Sequence, residues 1–163
     1  MAPMMPMLTS VATKHGAKIS AVGADYVTQS SSELELLPWS EATEVGIIQR
    51  MNIGIMPLDD SPWARGKCGY KLIQYMACGL PVIASPVGVN SDIVEHGVTG
   101  FLVQTDAEWT SALETLLTNP ELRKRMGAAG RQKVEQEYSL QAYGPKVAGL
   151  LREVALAERA SKR

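Results

Sequence analysis

Ile53-Gly54-Ile55-Met56-Pro57 opens, and Pro81-Val82-Ile83-Ala84-Ser85-Pro86-Val87-Gly88 closes, the stretch that decides the fold. Each is a short apolar run bounded by turn residues, the pattern of a strand buried in a parallel sheet. Between them lie a loop carrying Gly66-Lys67-Cys68-Gly69 and a short helix from Tyr70 to about Cys78, stopped by Gly79 and Pro81. Leu72, Ile73, Met76 and Ala77 form that helix's apolar stripe, with Lys71, Gln74 and Cys78 on another face. Backbone N–H groups and two lysines, Lys67 and Lys71, therefore meet where a strand's carboxyl end feeds a helix. Open α/β sheets bind nucleotides and phosphates at such points.

Working outward, the N-terminal side begins with a helix near residues 3 to 15, marked by Leu8, Val11, Ala12 and His15 and stopped by Gly16. Strands are expected at Ile19 to Val22 and at Leu34 to Leu37, separated by a polar loop from Asp25 to Ser32. Ser40 suits the N-cap of a helix with Val45, Ile48 and Met51 on one side. The segment from Pro57 to Gly69 reads as one long loop. On the C-terminal side a short helix is expected around Asp92 to Glu95 and a last strand at Phe101 to Val103. Thr105 and Glu108 have capping-box spacing ahead of the stripe Trp109, Ala112, Leu113, Leu116 and Leu117. Asn119-Pro120 divides two helices, and Ser139 can cap a final one carrying Tyr143, Val147, Leu150, Leu151 and Val154, with Pro145 set to kink or delay it. Strands alternating with helices imply an α/β, Rossmann-like, three-layer domain with a mostly parallel sheet.

The bulk numbers narrow the function. The chain has 163 residues, a net charge of −1 and 20% charged residues, which fits one soluble domain over 1–163 and offers no electrostatic case for nucleic acid. No apolar run approaches the ~20 residues that cross a bilayer. Met1 to Met7 lack a basic start before an apolar stretch, so no signal peptide is expected. Cys68 and Cys78, each beside a glycine, fit reduced thiols and a cytoplasmic location better than a disulfide. His15 and His96 are far apart, and no metal site is expected.

A glycine–lysine pair alone describes a solvated surface loop as well as a phosphate site. The longer run decides between them. Gly69-Tyr70-Lys71-Leu72-Ile73-Gln74-Tyr75-Met76-Ala77-Cys78-Gly79-Leu80-Pro81-Val82-Ile83-Ala84-Ser85 resembles the signature of retaining, nucleotide-sugar-dependent glycosyltransferases of family 4, whose second domain carries a helix reading E-A-M-A-x-G-x-P-V-V-A before a strand. The resemblance continues through Val87-Gly88, Asp92-Ile93-Val94, Gly97, Thr99-Gly100-Phe101-Leu102-Val103, Asn119-Pro120 and Met126-Gly127, and covers about residues 19 to 155.

What the resemblance implies is written here as expectation. The fold would be the C-terminal, donor-binding half of a GT-B glycosyltransferase, with a nucleotide-diphosphate sugar as donor substrate and no separate cofactor. Donor-binding residues would be Gly66, Lys67, Gly69, Lys71, Gln74, Gly88 and Val89. The family's two glutamates, eight positions apart, fall here on Gly66 and Gln74. Gln74 can hydrogen-bond a ribose hydroxyl without a carboxylate's charge. Gly66 brings no side chain, leaving Asp59, Asp60, Trp63 or Arg65 to supply the lost contact. Catalytic residues are not assigned. The helix opening the chain matches the one that follows the family domain's first strand, so that strand and the N-terminal partner domain are expected to be missing from these residues. Little activity is then expected from the chain alone, and exposed apolar surface favours self-association. A non-catalytic nucleotide-binding or scaffold domain is the competing reading. The basic residues Arg123, Lys124, Arg125, Arg131 and Lys133 could face a membrane peripherally, or simply cover a solvated helix.

Overall fold

The computed structural model describes residues 2–24 and 31–161, so most of the expected loop from Asp25 to Ser32 lies outside the described residues. A short 3₁₀ turn, Ala2–Met4, leads into α1 (Met5–His15), which ends where the Ala17 N–H donates back to the Ala12 carbonyl at 2.9 Å. Then follow β1 (Ile19–Val22), β2 (Leu34–Leu37), α2 (Glu41–Ile48), β3 (Gly54–Met56) and a four-residue helix α3 (Pro62–Arg65). Next come α4 (Tyr70–Ala77), β4 (Val82–Ala84), α5 (Asn90–Ile93), β5 (Gly100–Leu102), α6 (Asp106–Thr118), α7 (Pro120–Glu137) and α8 (Leu140–Ser161).

All strand pairing is parallel, but it is divided. β1 pairs with β2, Ile19 against Leu34 through Val22 against Leu37. Separately, β3, β4 and β5 form a three-stranded sheet with Ile83 set between Ile55 and Phe101. The expected α/β layering is present, built on two sheets.

β4 shows how the layers arise. It is wholly buried, and alternate side chains on a strand point to opposite faces. Ile83 enters a core with Leu8 and Val11 of α1, Trp109 and Leu116 of α6, and Met126. Val82 and Ala84 enter the other core, with Leu72 and Met76 of α4, Ile93, Val94 and Val134. Helices thus cover both faces of the three-stranded sheet, as a continuous apolar strand demands.

Several expectations shift in detail. Ser61 accepts the Ala64 N–H at 3.2 Å and Pro62 begins α3, so the long loop contains a helical turn. A Ser-Pro start signal was present in the sequence and was read only as loop. α2 stops at Ile48, buries Ile47 and Ile48, and leaves Val45 exposed, because Met51 lies beyond its end. The helix expected at Asp92 to Glu95 starts two residues earlier, at Asn90. The capping box is formed: the Glu108 carboxylate accepts the Thr105 N–H at 2.9 Å while Thr105 Oγ1 accepts the Glu108 N–H at 3.3 Å. α8 is helical through Pro145, and its expected stripe, Tyr143, Val147, Leu150, Leu151 and Val154, is exposed.

Candidate functional site

The carboxyl ends of β3 and β4 lie side by side, since the two strands pair from Gly54–Val82 to Met56–Ala84. Each then releases a loop: Pro57 to Gly69 after β3, and Ser85 to Val89 after β4. The Ser85 hydroxyl, itself buried, binds the two loops by accepting the Leu58 N–H at 3.0 Å. The Ser85 carbonyl accepts Nδ2 of Asn90 at 3.0 Å, which fixes the start of α5. Neither residue was singled out from the sequence. A polar pair set in an apolar stretch after a buried strand was the available signal.

Gly69 is the N-cap of α4 and is left-handed, with φ of 67°. It is buried, and a Cβ there would run into Ile93 and come within 3.3 Å of Val89. No side chain caps α4. The first N–H groups of a helix have no intrahelical acceptor, so this end carries unmet donors and the positive end of the helix dipole. Gly88 is also left-handed, with φ of 55°, and a Cβ would stand 2.7 Å from the Arg65 carbonyl oxygen. The two loops therefore touch through backbone, which only glycine at 88 allows.

The expected site residues divide accordingly. Gly69, Lys71, Gly88 and Val89 gather around the leading end of α4 by loop and helix geometry, with Lys67 two residues ahead of Gly69. Lys67 and Lys71 are exposed, and neither forms an ion pair among the described residues. Gln74 is half-buried one turn further along α4. Gly66 differs from the other two loop glycines. Its φ is −80°, and the nearest atom to an added Cβ is the Trp63 carbonyl oxygen at 3.6 Å, so nothing local requires glycine there.

Among the substitutes considered for the lost carboxylate, Asp60 and Arg65 are engaged with each other. Arg65 donates from Nε to Asp60 Oδ1 at 2.6 Å and from Nη2 to Oδ2 at 2.9 Å. The guanidinium holds the Asp60 carboxyl below its ordinary range. Trp63 is 83% exposed at the loop's crest. Cys68 and Cys78 are both free thiols; burial pushes the Cys78 thiol up, away from a thiolate. No cluster of three or more metal-ligating side chains occurs among the described residues.

The site is open rather than enclosed. A cavity of about 510 Å³ lies elsewhere, between α1, β1, β3 and α6, and a shallower depression is lined by Gly23, Ala24 and Leu36 to Trp39. What α4's leading end presents is one wall.

The basic residues of α7 take structural roles. Arg123 donates to the carbonyls of Leu116 and Leu117 at the end of α6. Arg131 donates to the Ala77 carbonyl at the end of α4, and Lys133 to the Asp92 carbonyl in α5 at 3.0 Å. Cations at helix carboxyl ends are favoured by the dipole. No described helix is long and apolar enough to cross a membrane.

Comparison with known proteins adds an independent line. A family model described as "Glycosyl transferases group 1" matches residues 41–133, a span holding both site loops. The alpha-D-kanosaminyltransferase of Streptomyces kanamyceticus is 34% identical over 90 residues, 54% of this chain and 23% of that enzyme. Among solved structures, sucrose-phosphate synthase from Thermosynechococcus elongatus superposes with a TM-score of 0.76 at 22% identity, over 93% of this chain and 42% of that one. Anabaena HepE, solved with UDP-glucose, gives 0.71 at 15% identity over 91% and 44%. These structures share the fold. The chain spans about a quarter or less of most of the curated relatives it matches.

Proposed function

The chain belongs to the group 1 glycosyl transferases, and from that premise we propose that it forms the donor-binding wall of a retaining transferase of family 4, acting on a nucleotide-diphosphate sugar. The observation that carries this reading is the uncapped leading end of α4, set at the paired carboxyl ends of β3 and β4. A diphosphate there would accept hydrogen bonds from the first-turn N–H groups and gain from the helix dipole. Lys67 and Lys71 add positive charge without needing to leave another partner. Gly88 and Val89 shape the facing loop, and Gln74 lies along the helix where a ribose hydroxyl could be bound.

A single open wall binds a donor weakly and leaves it in water. Transfer needs a second wall to exclude solvent and hold the acceptor. In this reading the 163-residue chain by itself binds donor and turns over slowly if at all. The partner wall is an N-terminal Rossmann-like domain.

One feature favours a second reading, that of a non-catalytic binding or scaffold domain: position 66, where nothing demands glycine, carries no side chain. Calorimetric titration with uridine and guanosine diphosphate sugars separates the two. Donor binding predicts saturable heats with at least one member of the panel, weakened several-fold by Lys71→Ala. Flat titrations across the panel would leave the scaffold reading in possession.

A further inference from the structure

The 510 Å³ cavity is bounded by two strands that each have only one partner. β1 is bonded to β2, and β3 to β4, and their other edges border the cavity. The hydrogen-bond phase confirms which groups look into it. In β1, Ile19 and Gly23 donate toward β2, to the Glu33 and Leu37 carbonyls at 2.8 and 2.9 Å. Residues alternate along a strand, so the N–H groups of Ser20 and Val22 point the other way. In β3, the Gly54 N–H donates to the Pro81 carbonyl at 3.0 Å and the Met56 carbonyl accepts the Ser85 N–H at 3.2 Å. The backbone of Ile55 therefore addresses the cavity. Ser20 and Ile55 both line it.

Two open edges facing each other across one slot specify their occupant. Unpaired backbone donors and acceptors on both sides are met by an extended peptide and by no helix or small apolar molecule. Helices return the chain between the paired strands, so β1 and β3 run the same way and a strand between them is parallel to both. The remaining walls are apolar: Leu8 and Val11 of α1, Leu113 and Leu117 of α6, and Ile47 and Met51 at the end of α2. A strand between such walls is apolar on both faces, a continuous run rather than an alternating one. Matching the four residues of β1 takes about 13 Å of strand.

We infer that the slot between β1 and β3 takes a parallel, continuously apolar β-strand of four to five residues, supplied by polypeptide outside these 163 residues. The five strands of the described residues are already placed, and none is free to fill it. With the strand in place the two sheets become one six-stranded sheet in the order β2, β1, added strand, β3, β4, β5.

The test uses the 163-residue chain and a capped peptide, Lys-Val-Ile-Val-Val-Lys, with a control carrying proline at the central valine. Amide hydrogen exchange is followed residue by residue with peptide up to about 1 mM. Exchange at Ser20, Val22 and Ile55 slows at least tenfold with the valine peptide and is unchanged by the proline control, which cannot complete the ladder. Three results overturn the inference: unchanged exchange at the highest peptide concentration, equal protection by the proline control, or prior protection of those amides in a dimer seen by sedimentation, which would make a second copy the occupant. Because the readout lies at β1 and β3, it is independent of donor binding at α4.

Discussion

Gly88 lies against the backbone of Arg65, so closely that a Cβ on Gly88 would stand 2.7 Å from the Arg65 carbonyl oxygen and 3.1 Å from its Cα. This contact joins the loops after β3 and β4 without any side chain between them. It sets where α3 rests and how the loop carrying Lys67 reaches α4. The proposed site is thus built by backbone approach, with side chains added afterwards.

Gly88→Ala combines a steric clash with a left-handed φ of 55°. We expect it to cost about 1–3 kcal/mol in urea denaturation, as for other side chains forced into this region. The loop must move away from Arg65, so donor affinity falls as well. A variant with unchanged stability would mean that the two loops do not touch in solution.

Gly66→Glu is the opposite case. With φ of −80° and its nearest neighbour at 3.6 Å, the position accepts a side chain, and the change in stability should stay within about 0.5 kcal/mol. On the family resemblance a carboxylate there lies near the donor sugar. The variant should therefore bind a nucleotide sugar more tightly than the parent while binding of the free nucleotide is unaltered, measured by paired calorimetric titrations. Equal effects on both ligands would place residue 66 away from the sugar.

How legible the molecule was from its sequence depended on the range of the force that decides each feature. Strands β1 to β5 and helices α1, α4, α6 and α7 follow from periodicity and end signals, because burial of Val82 to Ala84 or of Trp109 and Leu116 is written in local pattern. The capping box at Thr105 and Glu108 is likewise local. The division of the sheet was not legible, since a missing pairing between β1 and β3 is a fact about strands more than thirty residues apart. Nor was Val45 on the outside of α2, which was decided by where that helix stops. At the site, Gly69 and Lys71 could be found from spacing, whereas the Arg65–Gly88 contact and the Ser85–Asn90 pair depend on how two loops meet in space. The basic face of α7 shows the same limit: Arg123, Arg131 and Lys133 read as charge in sequence and act as helix caps in the fold.

Acid should destabilise the protein in a defined window. Glu33, Asp60, Glu108 and Glu114 are each held below the ordinary carboxylate range, chiefly by hydrogen bonds from Ser32, Arg65, the Thr105 N–H and Lys14 respectively. A group whose folded value lies below its unfolded one stabilises the fold above the unfolded value, about 4, and loses that contribution as pH falls through the folded value. All four are exposed, so each contributes modestly and is screened by salt. The urea midpoint should be flat from about pH 8 to 5 and fall below about 4, with a shallower fall in Glu108→Gln. A midpoint that rises toward pH 3 would contradict these pairings.

Ser85→Ala tests whether loop attachment and donor binding are coupled. The Ser85 hydroxyl is buried and accepts the Leu58 N–H at 3.0 Å, 27 residues away in sequence, so it is the polar tie between the loop after β3 and the end of β4. Removing it leaves the half-buried Leu58 N–H without that acceptor, at a cost of about 1–2 kcal/mol. The Ser85 carbonyl and its bond from Asn90 remain, so α5 stays in place. The loss should therefore be local. Amides from Leu58 to Gly69 should exchange faster while those of β4 and α6 do not, and donor affinity should fall in proportion to the loosened loop. Should donor binding persist at full strength with that loop demonstrably freed, Lys67 and its neighbours would be no part of the site, leaving the α4 N-terminus and Lys71 to hold the diphosphate alone.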